Sequence, residues 1–314
     1  MDRVPEISLA QFTRGDALAR TQFGAAAFAS LQRFGFLILK DHDVAPALLE
    51  RSYQLSEALF TLPRDVKLSY AGGLRGYTPF GTEHAKNSRF PDLKEFWQIG
   101  REIPAGAQRE ETFPANIWPA QISGFRDIFL PLYAQLEQTA EVMLRSITPQ
   151  LSLESEYFTR RLRDGNSVLR LIHYPPVSAD ADPRCVRSAA HEDINFLTVL
   201  VAARGAGLEL LDGEQRWLPV QPDPRHLIVN SGDMLARLTN DVIPAKTHRV
   251  VNPHGPNISR FSMPFFLHPT SATSLGCLPS CIGKGAKYGA INAGEFLQQR
   301  LREIGMAGIP NARS

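Results

Sequence analysis

His191-Glu192-Asp193-Ile194-Asn195-Phe196-Leu197-Thr198-Val199-Leu200-Val201 joins a polar head of metal-binding side chains to an apolar tail of strand formers. In an extended chain, residues i and i+2 point to the same side, about 6–7 Å apart at Cα. His191 and Asp193 are therefore expected to share one strand face, where an imidazole nitrogen and a carboxylate oxygen can converge on one ion. The tail, 196–201, is too short for a core helix and reads as a buried strand.

Working outward, the same texture continues on both sides. Runs at 168–174, 208–211, 217–220, 227–229, 234–238, 249–251 and 261–267 are short and β-type. Turn signals separate them, among them Pro175-Pro176, Asp212-Gly213 and Ser231-Gly232-Asp233. Many short strands at close spacing predict a sandwich or jelly roll rather than βαβ units. The N-terminal half differs. It predicts a helix at 16–34 stopped by Gly35, a strand at 36–39, a helix at 46–60 ending before Pro63, and loops with short strands over 69–115. After Pro119, Phe125, Ile128, Phe129, Leu132, Leu136, Thr139, Met143 and Ile147 form one helical stripe, with Gly124 and Pro131 as points where it can bend. A last helix is expected at 292–304. The expected architecture is α+β, a mainly β core with flanking helices. It divides into an N-terminal region (1–118), a long helix (119–150), the β core (164–270) and a C-terminal segment (271–314).

Composition excludes several classes. The 314 residues are 43% hydrophobic and carry a formal net charge of +2, too small a field to gather nucleic acid or an anionic membrane. No apolar run reaches the length of a membrane span, and no secretory pattern opens the chain. Cys185, Cys277 and Cys281 make an odd count without a CxxC pair, which fits a reducing compartment. A cytoplasmic protein acting on a small molecule is expected, with no nucleic-acid or membrane partner; the oligomeric state is not legible.

Among eight histidines an isolated HxD is common, so the pair needs a third ligand. His248 lies 55 residues beyond Asp193, far enough for several short strands to return beside the first. Two imidazoles and one carboxylate on one face of an octahedral ion leave three positions open, the arrangement of non-haem Fe(II) oxygenases. A structural zinc site would be closed and usually thiolate-rich. Further on, Arg260 and Ser262 share a face, offering a planar guanidinium fork and a hydroxyl to a carboxylate. Arg170, Ile172 and Tyr174 alternate onto one face of the 168–174 run. Arg170, Ile172, Asn195 and Phe266, with the loop around 75–84 and the stretch 266–268, are the candidates for substrate contact. The remaining histidines are expected to be surface or structural.

Longer strings carry a resemblance. Asn230-Ser-Gly-Asp-Met-Leu-Ala-Arg-Leu-Thr-Asn240, Lys246-Thr-His-Arg-Val-Val251 and Arg260-Phe-Ser-Met-Pro-Phe-Phe266 closely resemble the isopenicillin N synthase-like family of Fe(II)/2-oxoglutarate oxygenases. Phe34-Gly-Phe-Leu-Ile-Leu, Arg75-Gly-Tyr-Thr-Pro79, Asp92-Leu-Lys-Glu-Phe96 and Ala293-Gly-Glu-Phe-Leu-Gln-Gln-Arg-Leu301 are similar to that family's terminal regions. The resemblance covers nearly the whole chain in order. It implies a double-stranded β-helix (jelly-roll) core, with Fe(II) held by His191, Asp193 and His248. It also implies 2-oxoglutarate bound through Arg260 and Ser262 with Tyr174 contributing. The implied reaction uses O2 to hydroxylate, desaturate or cyclise a small molecule. Two alternatives stay open at this point: an iron oxidase that does not use 2-oxoglutarate as cosubstrate or that oxidises a 2-oxo acid itself, and a non-catalytic barrel binding a small carboxylate.

Overall fold

Asp16 and Gly35 bracket the first long helix. The Asp16 side chain accepts from the Ala19 amide, and Gly35 takes a left-handed conformation (φ 62°) that stops the helix and launches a strand. The computed structural model describes residues 3–86, 89–103 and 113–303.

The N-terminal elements are β1 (Glu6–Ser8), α1 (Ala10–Thr13), α2 (Ala17–Phe34), β2 (Phe36–Lys40), α3 (Pro46–Thr61), α4 (Arg64–Leu68), β3 (Gly76–Thr78) and β4 (Glu95–Gly100). Two helices follow, α5 (Phe125–Ile147) and α6 (Tyr157–Leu162). The strand-rich half holds β5 (Val168–Tyr174), β6 (Ser188–His191), β7 (Leu197–Arg204), β8 (Leu208–Leu211), β9 (Trp217–Pro219) and β10 (Leu227–Ser231). It closes with α7 (Asp233–Leu238), β11 (His248–Val250), β12 (Arg260–Leu267) and α8 (Ala293–Glu303).

The strands form two sheets. An eight-stranded sheet runs β1-β2-β10-β7-β12-β5-β4-β3, and a four-stranded sheet runs β6-β11-β8-β9. Together they make the jelly roll. Period-two alternation divides the large sheet into two faces. Leu169, Leu171, Val199, Val201, Met263 and Phe265 join the main core shared with the helices. Their neighbours Arg170, Ile172, Thr198, Leu200, Ser262, Pro264 and Phe266 face a cavity between the sheets. The stripe on α5 packs into that main core, with Phe129, Leu132, Leu136 and Met143 fully buried, each worth roughly 1.5–3 kcal/mol. Pro131 lies inside α5, which continues through it, and Gly124 is its left-handed N-cap.

Two expectations are corrected. The run 234–238 is helix α7, not a strand. Met, Leu, Ala and Arg are good helix formers without β-branching, and extended Gly232 provides the start. The strand carrying His191 ends there, so Asp193 sits in the following loop rather than two places along the same strand. As expected, the stretch 69–115 carries short strands, β3 and the fully buried β4, which pairs along its whole length with β5.

Candidate active site

Antiparallel pairing of β6 with β11 sets His248 directly opposite His191. Their rings lie 4.4 Å apart at the centroids. Each Nδ1 is within hydrogen-bonding distance of a backbone carbonyl two residues back: Ala189 O for His191 (2.7 Å) and Lys246 O for His248 (3.1 Å). Donation from Nδ1 fixes the tautomer and leaves Nε2 as a lone-pair donor. Both Nε2 atoms stand 3.8 Å from Asp193 Oδ1. That is too long for a direct hydrogen bond and short enough for one shared cation. The three ligand atoms all lie within 4.8 Å of one another.

Asp193 reaches this position without a strand because the next motif clamps its loop. The amides of Gly232, Asp233 and Met234 donate to the carbonyls of Phe196 (3.1 Å), Asp193 (2.7 Å) and Asn195 (3.2 Å). Thr198 Oγ1 (2.5 Å) and Asn230 Nδ2 (2.8 Å) both donate to Asp193 Oδ2, leaving Oδ1 toward the histidines. Burial alone would raise the Asp193 pKa, but His248, His191 and these hydrogen bonds hold it below the usual carboxylate value. Burial and the neighbouring His248 lower that of His191, favouring the neutral, ligating form. Imidazole and carboxylate donors with no thiolate among them suit Fe(II), so the residues present fit the ion that the arrangement implies.

Gly232 permits the clamp by having no side chain. A Cβ there would meet Asn195 O and Oδ1, each at 2.3 Å. Gly232→Ala is expected to destabilise the fold by about 1–3 kcal/mol and to weaken metal binding by shifting the Asp193 loop. Denaturant unfolding checks this, and an unchanged midpoint would contradict it.

From the metal cluster the cavity, about 350 Å³, extends along the large sheet. Register orders its wall into rungs: Tyr174 opposite Arg260, then Ile172 opposite Ser262, then Arg170 opposite Gln98, and Val168 opposite Phe266. Arg260 is only 2% exposed, and its guanidinium carbon lies 4.9 Å from the Tyr174 ring centroid. Its Nε donates to Gly205 O (3.3 Å), whereas its buried Nη1 has no partner. Burial and the proximity of Arg260 both depress the pKa of Arg187, a sign of concentrated positive charge. An unsatisfied buried guanidinium beside a hydroxyl fits a carboxylate.

The expected substrate contacts divide. Arg170, Ile172 and Phe266 line the cavity. Asn195 does not: it is fully buried and donates to Thr198 Oγ1 (2.9 Å), supporting the Asp193 clamp. Within the loop 75–84, Arg75, Glu83 and His84 line the cavity. So does His268, in the expected contact stretch 266–268 though also read among the structural histidines, as do Asp92, Lys94 and Gln98, which spacing alone did not single out. Alternation of Asp92, Lys94 and Gln98 through the strand that begins at Glu95 is the signal that could have found them. Residues Leu297, Gln298, Arg300 and Leu301 of α8 close one side, with Arg300 bound to Asp233 (2.9 Å). On the opposite face of β5, His173 is bound to Glu95 (2.8 Å) and Ser259 (3.0 Å), a structural role.

His268 carries a pH signature. Burial pushes its pKa down to about 4 from 6.5. Below pH 6.5 the unfolded chain binds the proton more readily, so this contribution is complete above 6.5 and is lost as pH falls toward 4. The loss is on the order of 3 kcal/mol. A His268→Asn variant is expected to show a shallower fall of unfolding free energy across that window. Parallel curves would contradict the assignment.

Known proteins similar to this chain belong to one family. The 2OG-Fe(II) oxygenase superfamily profile matches residues 165–269, and the profile "non-haem dioxygenase in morphine synthesis N-terminal" matches residues 4–121. A 2OG-Fe(II) oxygenase family protein from Caulobacter crescentus is 41% identical, covering 96% of this chain and 99% of its own, with a TM-score of 0.86. A full-length Neurospora crassa protein, solved in complex with alpha-KG and thymine, is 28% identical over 95% of this chain and 96% of its own, with a TM-score of 0.85. The 2-oxoglutarate-Fe(II) type oxidoreductase hxnY of Emericella nidulans is 28% identical over 94% of this chain and 88% of its own length. The chain belongs to the 2OG-Fe(II) oxygenase superfamily. It is a non-haem Fe(II)- and 2-oxoglutarate-dependent oxygenase that uses O2. Among the described residues, no helix is long and apolar enough to cross a membrane.

Proposed function

We propose that His191, Asp193 and His248 hold the Fe(II), that Arg260, Ser262 and Tyr174 take the distal carboxylate of 2-oxoglutarate, and that Arg170, Ile172 and Phe266 orient the substrate. One observation carries this reading: the two-His, one-carboxylate cluster and the partnerless Arg260 Nη1 open on the same cavity. The bound Fe(II) supplies the redox chemistry, coupling oxidative decarboxylation of 2-oxoglutarate by O2 to attack on a substrate C–H bond. In the hydroxylating outcome 2-oxoglutarate, O2 and R–H become succinate, CO2 and R–OH.

The protein contributes geometry and charge. Nδ1 donation to Ala189 O and Lys246 O keeps both imidazoles oriented, and Thr198 and Asn230 hold one carboxylate oxygen so that the other is free to ligate. Arg260 neutralises the cosubstrate's far end, and the apolar wall of Ile172, Leu200 and Phe266 excludes water. The Neurospora crassa complex with alpha-KG and thymine supports a cavity of this kind holding cosubstrate and substrate together. The cysteines are free, which supports a reducing, cytoplasmic location. Succinate formation from 2-oxoglutarate tests the reading. It is expected to require Fe(II) and O2, to stop with a chelator and to return on adding Fe(II). Succinate release indifferent to chelation would overturn it.

A further inference from the structure

Deeper along the same wall lies a second set of polar groups that the metal and cosubstrate do not use. Arg170 and Lys94 are set against Glu83 and Asp92. Lys94 Nζ reaches Glu83 Oε2 (2.6 Å) and Asp92 Oδ2 (2.8 Å), and Arg170 Nη1 reaches Glu83 Oε1 (3.1 Å). Here two cations pair directly with two anions, and Arg75 and Lys86 add positive charge to the lining of the same cavity. Although burial opposes its ionisation, Arg170 and Lys94 hold the Glu83 carboxyl well below the usual range, so it is ionised at neutral pH.

Three hydrogen-bonding atoms remain over. Gln98 accepts from Arg170 Nη2 through Oε1 (3.1 Å), but its Nε2 is buried without a partner. Arg170 Nε and His268 Nδ1 are likewise buried and unpartnered. Gln98 and His268 are 5% and 9% exposed, and all three residues line the cavity. A buried polar atom is unfavourable while unsatisfied, so the subsite is built for a ligand that supplies the missing partners.

Resting on the assignment of Fe(II) and 2-oxoglutarate to this cavity, we propose that the prime substrate is an uncharged cyclic amide, its carbonyl received by Gln98 Nε2 and Arg170 Nε and its N–H by His268 Nδ1. An amide presents an acceptor and a donor side by side, matching two donors and one acceptor nitrogen of a neutral imidazole. A carboxylate has no N–H to give His268 Nδ1 and would stand beside the buried Glu83 and Asp92 carboxylates, so it matches the three atoms less well. The Phe266 ring, 5.3 Å from the Arg170 guanidinium carbon, adds a flat apolar wall suited to a planar ring.

Calorimetric titration of the anaerobic Fe(II)–2-oxoglutarate complex tests this. The probes are three neutral amides (uracil, 2-piperidone and 2,5-diketopiperazine) and two ring carboxylates (orotate and benzoate). At least one amide is expected to bind about tenfold or more tightly than either acid. Gln98→Leu is expected to weaken that amide about tenfold without changing 2-oxoglutarate affinity. Gln98→Glu, which keeps the size but loses the donor, covers the case in which the leucine variant fails to fold. Acids binding as tightly as amides, no amide binding while 2-oxoglutarate does, or both Gln98 variants binding like the wild type would each overturn the proposal. Failure of 2-oxoglutarate itself to bind would instead bring down the underlying assignment.

Discussion

Asp193→Ala is expected to abolish Fe(II)-dependent turnover while leaving the fold in place. Asp193 Oδ1 is equidistant, at 3.8 Å, from both histidine Nε2 atoms, and no other carboxylate belongs to this metal-ligand cluster among the described residues. Loss of a residue that only orients a ligand typically costs about 10–100-fold, and loss of the ligand itself is expected to exceed that. The substitution also strands the Thr198 hydroxyl and the Asn230 amide, each worth about 1–3 kcal/mol when unsatisfied. Removal of a buried carboxylate offsets part of that cost in the metal-free chain. Iron content after anaerobic loading and succinate release are the readouts. Full turnover in a folded variant would remove Asp193 from the ligand set.

The second large effect is expected at Arg260. Arg260→Ala is expected to raise the KM for 2-oxoglutarate roughly 30- to 1,000-fold, equivalent to about 2–4 kcal/mol for a charge-assisted contact in a secluded pocket. Iron binding should survive, because Arg260 does not touch the metal cluster. Arg260→Lys keeps the charge but loses the planar fork, so an intermediate KM is expected. Since Arg187 already feels the charge of Arg260, truncation relieves repulsion and stability should change little beyond the cavity it leaves. An unchanged KM would mean that Arg260 holds a different anion.

Much of this was legible in residue spacing. The strands at 168–174 and 208–211 coincide with β5 and β8, because Pro and Gly turn signals bound them. The Arg260–Ser262 pair follows from period two, and His248 from the later return of a histidine-bearing strand beside His191. What the spacing could not carry was tertiary. Asp193 leaves the strand because backbone amides from residues 232–234 capture its loop, a contact between segments about 40 residues apart. Asn195 next to a ligand suggests a substrate contact, and only packing shows it beneath the site. The short run at 234–238 is equally apolar as strand or helix, and its unbranched side chains decide for helix. The Asp92 and Lys94 that pair with Glu83 on the cavity wall were hidden in a loop-like composition, where charges normally mean solvent.

The central claim is that one cavity binds Fe(II) through the His191–Asp193–His248 cluster and 2-oxoglutarate through Arg260. Anaerobic titration with Fe(II) and then 2-oxoglutarate, followed in the visible for the charge-transfer absorption of the chelate, tests both halves at once. The band is expected in the wild type, absent in His248→Ala at any 2-oxoglutarate concentration, and recovered in Arg260→Ala only at much higher 2-oxoglutarate. A band of wild-type intensity in His248→Ala, or iron binding with no band in the wild type, would contradict the account.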